Sequence, residues 1–160
     1  IKYLILSNMC GILGLINFNK NINNNISEKF KYSLKLLNHR GPDFSDSIID
    51  LDKEYVIGHA RLSIRDLSSN GNQPKISYNK RYIFTYNGEI YNTNQLFDNL
   101  NEIIKRKINL NCDTDVLFAH IIEHGIKKTL EITKGMYAFG LWDTKEKKLI
   151  LARDPFGEKP

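Results

Sequence analysis

Met9-Cys10-Gly11-Ile12-Leu13-Gly14-Leu15-Ile16-Asn17-Phe18 is the stretch on which the fold turns. From Cys10 to Phe18 the run is mostly apolar, broken by glycines at 11 and 14, and reads as a buried strand. Taken alone, Cys10 fits a small core hydrophobe. Its place directly after Met9 offers a second reading. If translation starts at Met9 and that methionine is removed, Cys10 carries a thiol and its own α-amine on one carbon. An α-amine has a reference pKa of about 7.7–8.0 and a thiol about 8.5, so the amine can take the thiol proton near neutral pH. Such a nucleophile needs no separate histidine. Residues 1–9 are then expected to be an upstream extension absent from the mature protein, with one domain over 10–160.

Outward from this strand, Asn19 to Asn25 reads as a polar loop, and Phe30, Leu34 and Leu37 mark a helix over 27–38 with Ser27 as its N-cap. Arg40-Gly41-Pro42-Asp43 breaks it. Strand-like segments follow at 46–51, 55–60, 75–78 and 81–86, and Asn87-Gly88 ends the series. Leu96, Leu100, Ile103 and Ile104 mark a helix over 93–105. A nearly apolar, buried helix covers 114–124 and stops near Gly125, with a short helix over 126–133 after it. Tyr137–Trp142 and Lys148–Arg153 form a closing hairpin across Asp143–Lys147. This mixture lacks strict strand–helix alternation. It predicts an α+β fold of two mainly antiparallel sheets packed together with helices outside.

The 160 residues suffice for one domain with a sizeable core, and 41% hydrophobic with 26% charged residues is ordinary for a globular chain. The net charge of +5 comes from scattered lysines and arginines, with no basic stripe interleaved with aromatics, so no nucleic-acid partner is expected. No apolar run approaches the roughly 20 residues that span a bilayer, so no membrane association is expected. Cys10 and Cys112 lie far apart without CxxC spacing, which argues against a disulfide framework and for a cytoplasmic, reducing compartment. His120-Ile121-Ile122-Glu123-His124 has its glutamate in the wrong place for a zinc helix, and no metal site is expected.

Three further stretches carry chemistry, each with a bland alternative. Tyr86-Asn87-Gly88-Glu89-Ile90-Tyr91-Asn92 contains an Asn-Gly pair, a favoured type I′ hairpin turn. It also fits an oxyanion hole, with the Asn87 amide and the Gly88 N–H aimed at a tetrahedral oxygen. Arg61, at a strand end in Gly58 to Leu67, fits a surface ion pair or a guanidinium clamp on a substrate α-carboxylate. Asp113, in Cys112-Asp113-Thr114-Asp115, fits a helix cap or a carboxylate holding a substrate α-ammonium.

In combination and in order, these stretches define a resemblance. They are Met9 to Ile12, Arg40 to Asp43, Gly58 to Leu67, Gln73-Pro74, Tyr86 to Asn92, Gly135-Met136-Tyr137-Ala138-Phe139 and Ala152-Arg153-Asp154-Pro155-Phe156-Gly157. Together they resemble the class II glutamine amidotransferase domain of glutamine-dependent asparagine synthetases, over residues 9–160. Arg-Gly-Pro-Asp and Tyr-Asn-Gly-Glu-Ile-Tyr-Asn resemble the asparagine-synthetase branch in particular. The family usually has Ser-Asp-Thr-Glu where this chain has Cys112 to Asp115, but the aspartate is kept.

The resemblance implies an N-terminal-nucleophile hydrolase fold, a four-layer αββα sandwich. It implies Cys10 as nucleophile, Asn87 and Gly88 as oxyanion hole, and Arg61 as carboxylate clamp. The backbone of Leu62, Ser63, Ile64 and Arg65 would line the pocket, with Glu89 and Asp113 near the glutamine α-amino group. The implied substrate is L-glutamine, hydrolysed to glutamate and ammonia without a cofactor in this domain. A C-terminal synthetase domain, missing here, would use the ammonia with ATP and Mg2+ to turn aspartate into asparagine. No phosphate loop for ATP is recognisable in the chain. Family members often dimerise, so a homodimer is a further expected partner. Two rival readings remain: a related synthetase that amidates a different acceptor, and an inactive glutamine-binding remnant.

Overall fold

The computed structural model describes residues 9–16, 24–50, 55–64 and 67–160. The predicted extension, apart from Met9, lies outside them, as does the loop over 19–25 up to residue 23. In chain order the elements are β1 (Gly11–Ile16), α1 (Asn24–Lys35), β2 (Phe44–Asp50), β3 (Tyr55–Arg61), β4 (Lys75–Ile76), β5 (Tyr82–Ile90), α2 (Thr93–Asp98), α3 (Glu102–Lys105), α4 (Asp113–His124), α5 (Ile126–Ile132), β6 (Gly135–Asp143) and β7 (Lys148–Arg153).

The strands form two antiparallel sheets, one ordered β1-β3-β2 and the other β4-β5-β6-β7. Side chains alternate between the two faces of a strand, and that alternation sorts the layers. Tyr55 and Ile57 of β3 meet Ile83 of β5 and Trp142 of β6, so these faces look at each other and make the inner core. The opposite face of β3 receives α1, whose Phe30 and Leu34 fill the space over Gly58. The opposite face of the second sheet carries Phe84, Tyr86, Phe139 and Leu141, packed with Leu96 of α2 and Val116, Leu117 and Ile121 of α4. Helix, sheet, sheet, helix is the predicted four-layer order. Phe84 anchors the outer contact, its ring stacked on Phe118 at 4.9 Å between centroids. Burying such a side chain contributes about 1.5–3 kcal/mol.

Several boundaries differ from expectation: α1 starts at Asn24, so Ser27 lies inside it and does not cap it. Two further differences fall at β5 and α3. Asn87-Gly88 does not end the strand series: β5 runs through both to Ile90, with Asn87 opposite Ala138 and Gly88 opposite Tyr137. The nine-residue register with β6 outweighs the local preference of Asn-Gly for a turn. The helix predicted over 93–105 is two pieces, because the Asn101 side chain accepts a hydrogen bond from the Ile104 N–H and starts α3 afresh. No helix among the described residues is long and apolar enough to cross a membrane.

Candidate active site

The cleft opens at one end of the interface between the sheets. Its walls include Cys10, Arg61, Leu62, Ile64, Asn87, Gly88, Glu89 and Asp113, around a cavity of about 90 Å³. The fold therefore gathers residues from four separate stretches. Ser63 does not line the cleft; its N–H is held by Asp43 Oδ2 at 2.6 Å. Arg65 lies outside the described residues.

Cys10 stands immediately before β1, beside the end of β3. The Leu62 N–H donates to its Sγ at 3.3 Å, and Sγ lies 3.6 Å from the Leu62 carbonyl oxygen. Arg40 Nε donates to the Cys10 carbonyl at 3.3 Å, so the Arg-Gly-Pro-Asp stretch acts as a support for the backbone at the thiol. Burial pushes the Cys10 thiol above its ordinary pKa, while the Leu62 N–H and the nearby Arg61 charge work in the opposite direction. Cys112, also on the cleft wall, is pushed up to about 11 by burial and by Asp115.

Arg61 is a buried cation at the end of β3, not a surface ion-pair residue. Its Nη1 donates to the Ser68 carbonyl at 2.8 Å and to Asn72 Oδ1 at 2.7 Å. Gly71 lies flat against the guanidinium, and a Cβ there would overlap it. The loop after β3 thus fixes where the guanidinium points.

Tyr86 is the hub of the opposite wall. Gln73 Oε1 accepts its N–H at 2.7 Å, and its carbonyl accepts from Gln73 Nε2 at 3.1 Å. His59 Nε2, from the other sheet, lies 3.0 Å from the same carbonyl and donates to it. Burial pulls the His59 pKa down to about 4, aided by the Arg61 charge, so the ring is neutral at pH 7 and its Nε2 carries the proton. The Tyr86 hydroxyl donates to Asp113 Oδ2 at 2.9 Å, and the Ile90 N–H reaches the same oxygen at 3.1 Å. Asp113 is the first residue of α4 and does not cap it; Cys112 occupies the cap position. The carboxylate looks across to β5 instead.

Between these fixed points lie Asn87 and Gly88. Asn87 is buried, lines the cleft, and its amide has no hydrogen-bond partner among the described residues. A Cβ on Gly88 would overlap the Met136 carbonyl oxygen, so only glycine allows β5 and β6 to approach this closely.

Several residues of this site carry no sequence signal of their own. Ser68, Asn72 and His59 are ordinary loop or strand residues until the fold brings them to Arg61 and Tyr86. Lys159 is another: it is buried on the cleft wall with its Nζ 3.0 Å from Met9 Sδ. The Asp154 carboxylate holds it there by accepting the N–H groups of Tyr137, Phe156, Glu158 and Lys159. Burial raises the Asp154 pKa, but these donors outweigh it and leave the carboxyl below its ordinary value. Gln73 was visible only as part of the Gln73-Pro74 element of the resemblance.

The cleft thus brings together a thiol, a buried guanidinium, a carboxylate and the amides of Asn87 and Gly88. The chain belongs to the glutamine amidotransferase domain family, which matches residues 9–160. It is similar to the glutamine-hydrolysing asparagine synthetases: 37% identical to asparagine synthetase 1 of Bacillus subtilis, with 95% of this chain and 23% of that protein covered. It is 36% identical to asparagine synthetase 3 of Arabidopsis thaliana, with 95% and 25% covered. The chain thus spans about a quarter of the length of these relatives.

Proposed function

We propose that the chain is the glutaminase half of an asparagine synthetase. Cys10 Sγ attacks the side-chain amide carbon of glutamine, and the Cys10 α-amine takes the thiol proton. The tetrahedral oxygen is held by the Asn87 amide and the Gly88 N–H. The amine returns the proton to the departing nitrogen, and ammonia leaves behind a γ-glutamyl thioester. Water, deprotonated by the same amine, then hydrolyses the thioester to glutamate and restores the thiol. Arg61 clamps the α-carboxylate of glutamine, and Asp113 with Glu89 holds its α-ammonium. Leu62 and Ile64 line the pocket. In the whole protein, ammonia serves the ATP-dependent amidation of aspartate, with ATP and Mg2+ held outside this chain.

The observation that carries this reading is the convergence of Cys10, Arg61, Asn87, Gly88 and Asp113 on one cleft. The reading requires Cys10 to be the first residue of the mature protein. Intact-mass measurement of the protein from its own gene tests that requirement, and a mass that includes Met9 refutes it. Protein beginning at Cys10 should release ammonia from glutamine. Cys10→Ala should abolish release while glutamine still binds, and equal activity in that variant refutes the nucleophile.

A further inference from the structure

We infer that Gln73, through its side-chain amide, is the residue that positions the Gly88 N–H as an oxyanion donor. The inference rests on the glutaminase reading and adds to it a residue that touches neither thiol nor oxyanion in the scheme above.

In an antiparallel pair, the N–H and C=O of one residue point to the same side, and neighbouring residues alternate. Tyr91 donates its N–H to Lys134 on the β6 side, so the odd-numbered residues of this stretch face β6. The even-numbered ones face the opposite edge, and the side-chain bonds made there at Tyr86 and Ile90 agree. On that edge β4 covers only Ile83 and Phe84 before it ends. A strand edge left unpaired is free to twist and fray. Here the Gln73 amide replaces the missing strand, bonding both the N–H and the carbonyl of Tyr86 as a backbone would. Asp113 secures the edge again at Ile90.

Gly88 lies midway between these two supports, on the same edge, and lines the cleft. No described residue accepts its N–H. Its direction is therefore set by the strand on either side, two residues from Gln73's bonds and two from Asp113's. Gln73 is itself buried in the cleft wall, where little water competes for its amide. Electrostatic catalysis requires donors fixed in advance, and a misplacement of about 1 Å in such a group costs on the order of a hundredfold.

The test uses glutaminase kinetics on protein with Cys10 at its N-terminus. Gln73→Met keeps the length and bulk of the side chain but deletes both hydrogen bonds. It should lower kcat about tenfold to a hundredfold and leave KM for glutamine within about threefold. Gln73→Glu keeps an oxygen for the Tyr86 N–H and should lose less. Rates are expressed per thiol titrated by a diazoketone analogue of glutamine, so a smaller folded fraction does not count as slower chemistry. An aldehyde analogue of glutamate, whose adduct with the thiol carries the tetrahedral oxygen, should weaken in step with kcat, and glutamate itself should not. A kcat per active site within about threefold of the parent overturns the inference. So does a rise in KM alone, which would make Gln73 a substrate contact. An inactive parent protein instead overturns the glutaminase reading, and the inference with it.

Discussion

The two edges of β5 are built on different principles. Against β6 the strand runs nine residues in unbroken register, Tyr82 opposite Asp143 to Ile90 opposite Gly135. Along its other edge, β4 pairs with two residues, and beyond them the side chains of Gln73 and Asp113 take over. The complete edge, with the aromatic face it holds against α4, has the character of a core. The incomplete edge has the character of a site: between the N–H groups of Tyr86 and Ile90, held by side chains, the Gly88 N–H meets no neighbouring strand. One strand thus serves stability on one side and chemistry on the other. On the proposed reading, an oxyanion donor is made from ordinary β-structure by withholding its neighbour.

The strongest challenge to this contrast falls on the aromatic face. Phe84 is fully buried and stacks on Phe118, so Phe84→Ala should cost about 3–5 kcal/mol of stability, read from urea denaturation. A loss below about 1 kcal/mol would mean that this face is not where the stability of β5 resides. A complementary, slightly smaller effect is expected on the open side. Asn87→Ala should lower kcat about a hundredfold to a thousandfold, or about 2.7–4 kcal/mol in barrier. Its stability should change little, because the amide faces the cleft and makes no hydrogen bond to the core among the described residues. Should kcat survive while stability falls, Asn87 would belong with the core.

What the sequence made legible follows the same division. The layers were readable because the apolar runs of β3 and β6, buried almost throughout, and the nearly apolar helix α4 report burial directly. The expected strand at 81–86 stopped short since Asn-Gly is locally a turn pair, and nothing local reveals that β6 will hold it extended. Of the site, the residues proposed to touch glutamine were named from the resemblance and from their own chemistry. Their supports were not. Ser68, Asn72 and Gly71 around Arg61, and His59 beside Tyr86, act through contacts between residues distant in the chain or through backbone atoms any residue has. Such roles leave no pattern in composition or spacing.

His59 is where the comparison is sharpened by pH, since it ties the β1-β3-β2 sheet to the open edge at the Tyr86 carbonyl. Burial holds its folded-state pKa at about 4, against about 6.5 for an unfolded histidine. The unfolded chain therefore binds the proton more tightly, and stability rises with pH across the interval between the two values. The His59 contribution is fully present above the unfolded pKa and is lost as pH falls toward the folded one. Between pH 7 and pH 5 the loss should be about 2 kcal/mol, at about 1.36 kcal/mol per pH unit once below the unfolded value. His59→Gln offers an amide donor without a titrating ring, so its urea midpoint should move less over the same interval. Other groups titrate alike in both proteins, and the difference between them isolates this ring. An equal shift in the two would show that His59 takes up its proton without leaving the folded state, and the link between sheet and open edge would then be looser than its 3.0 Å contact implies.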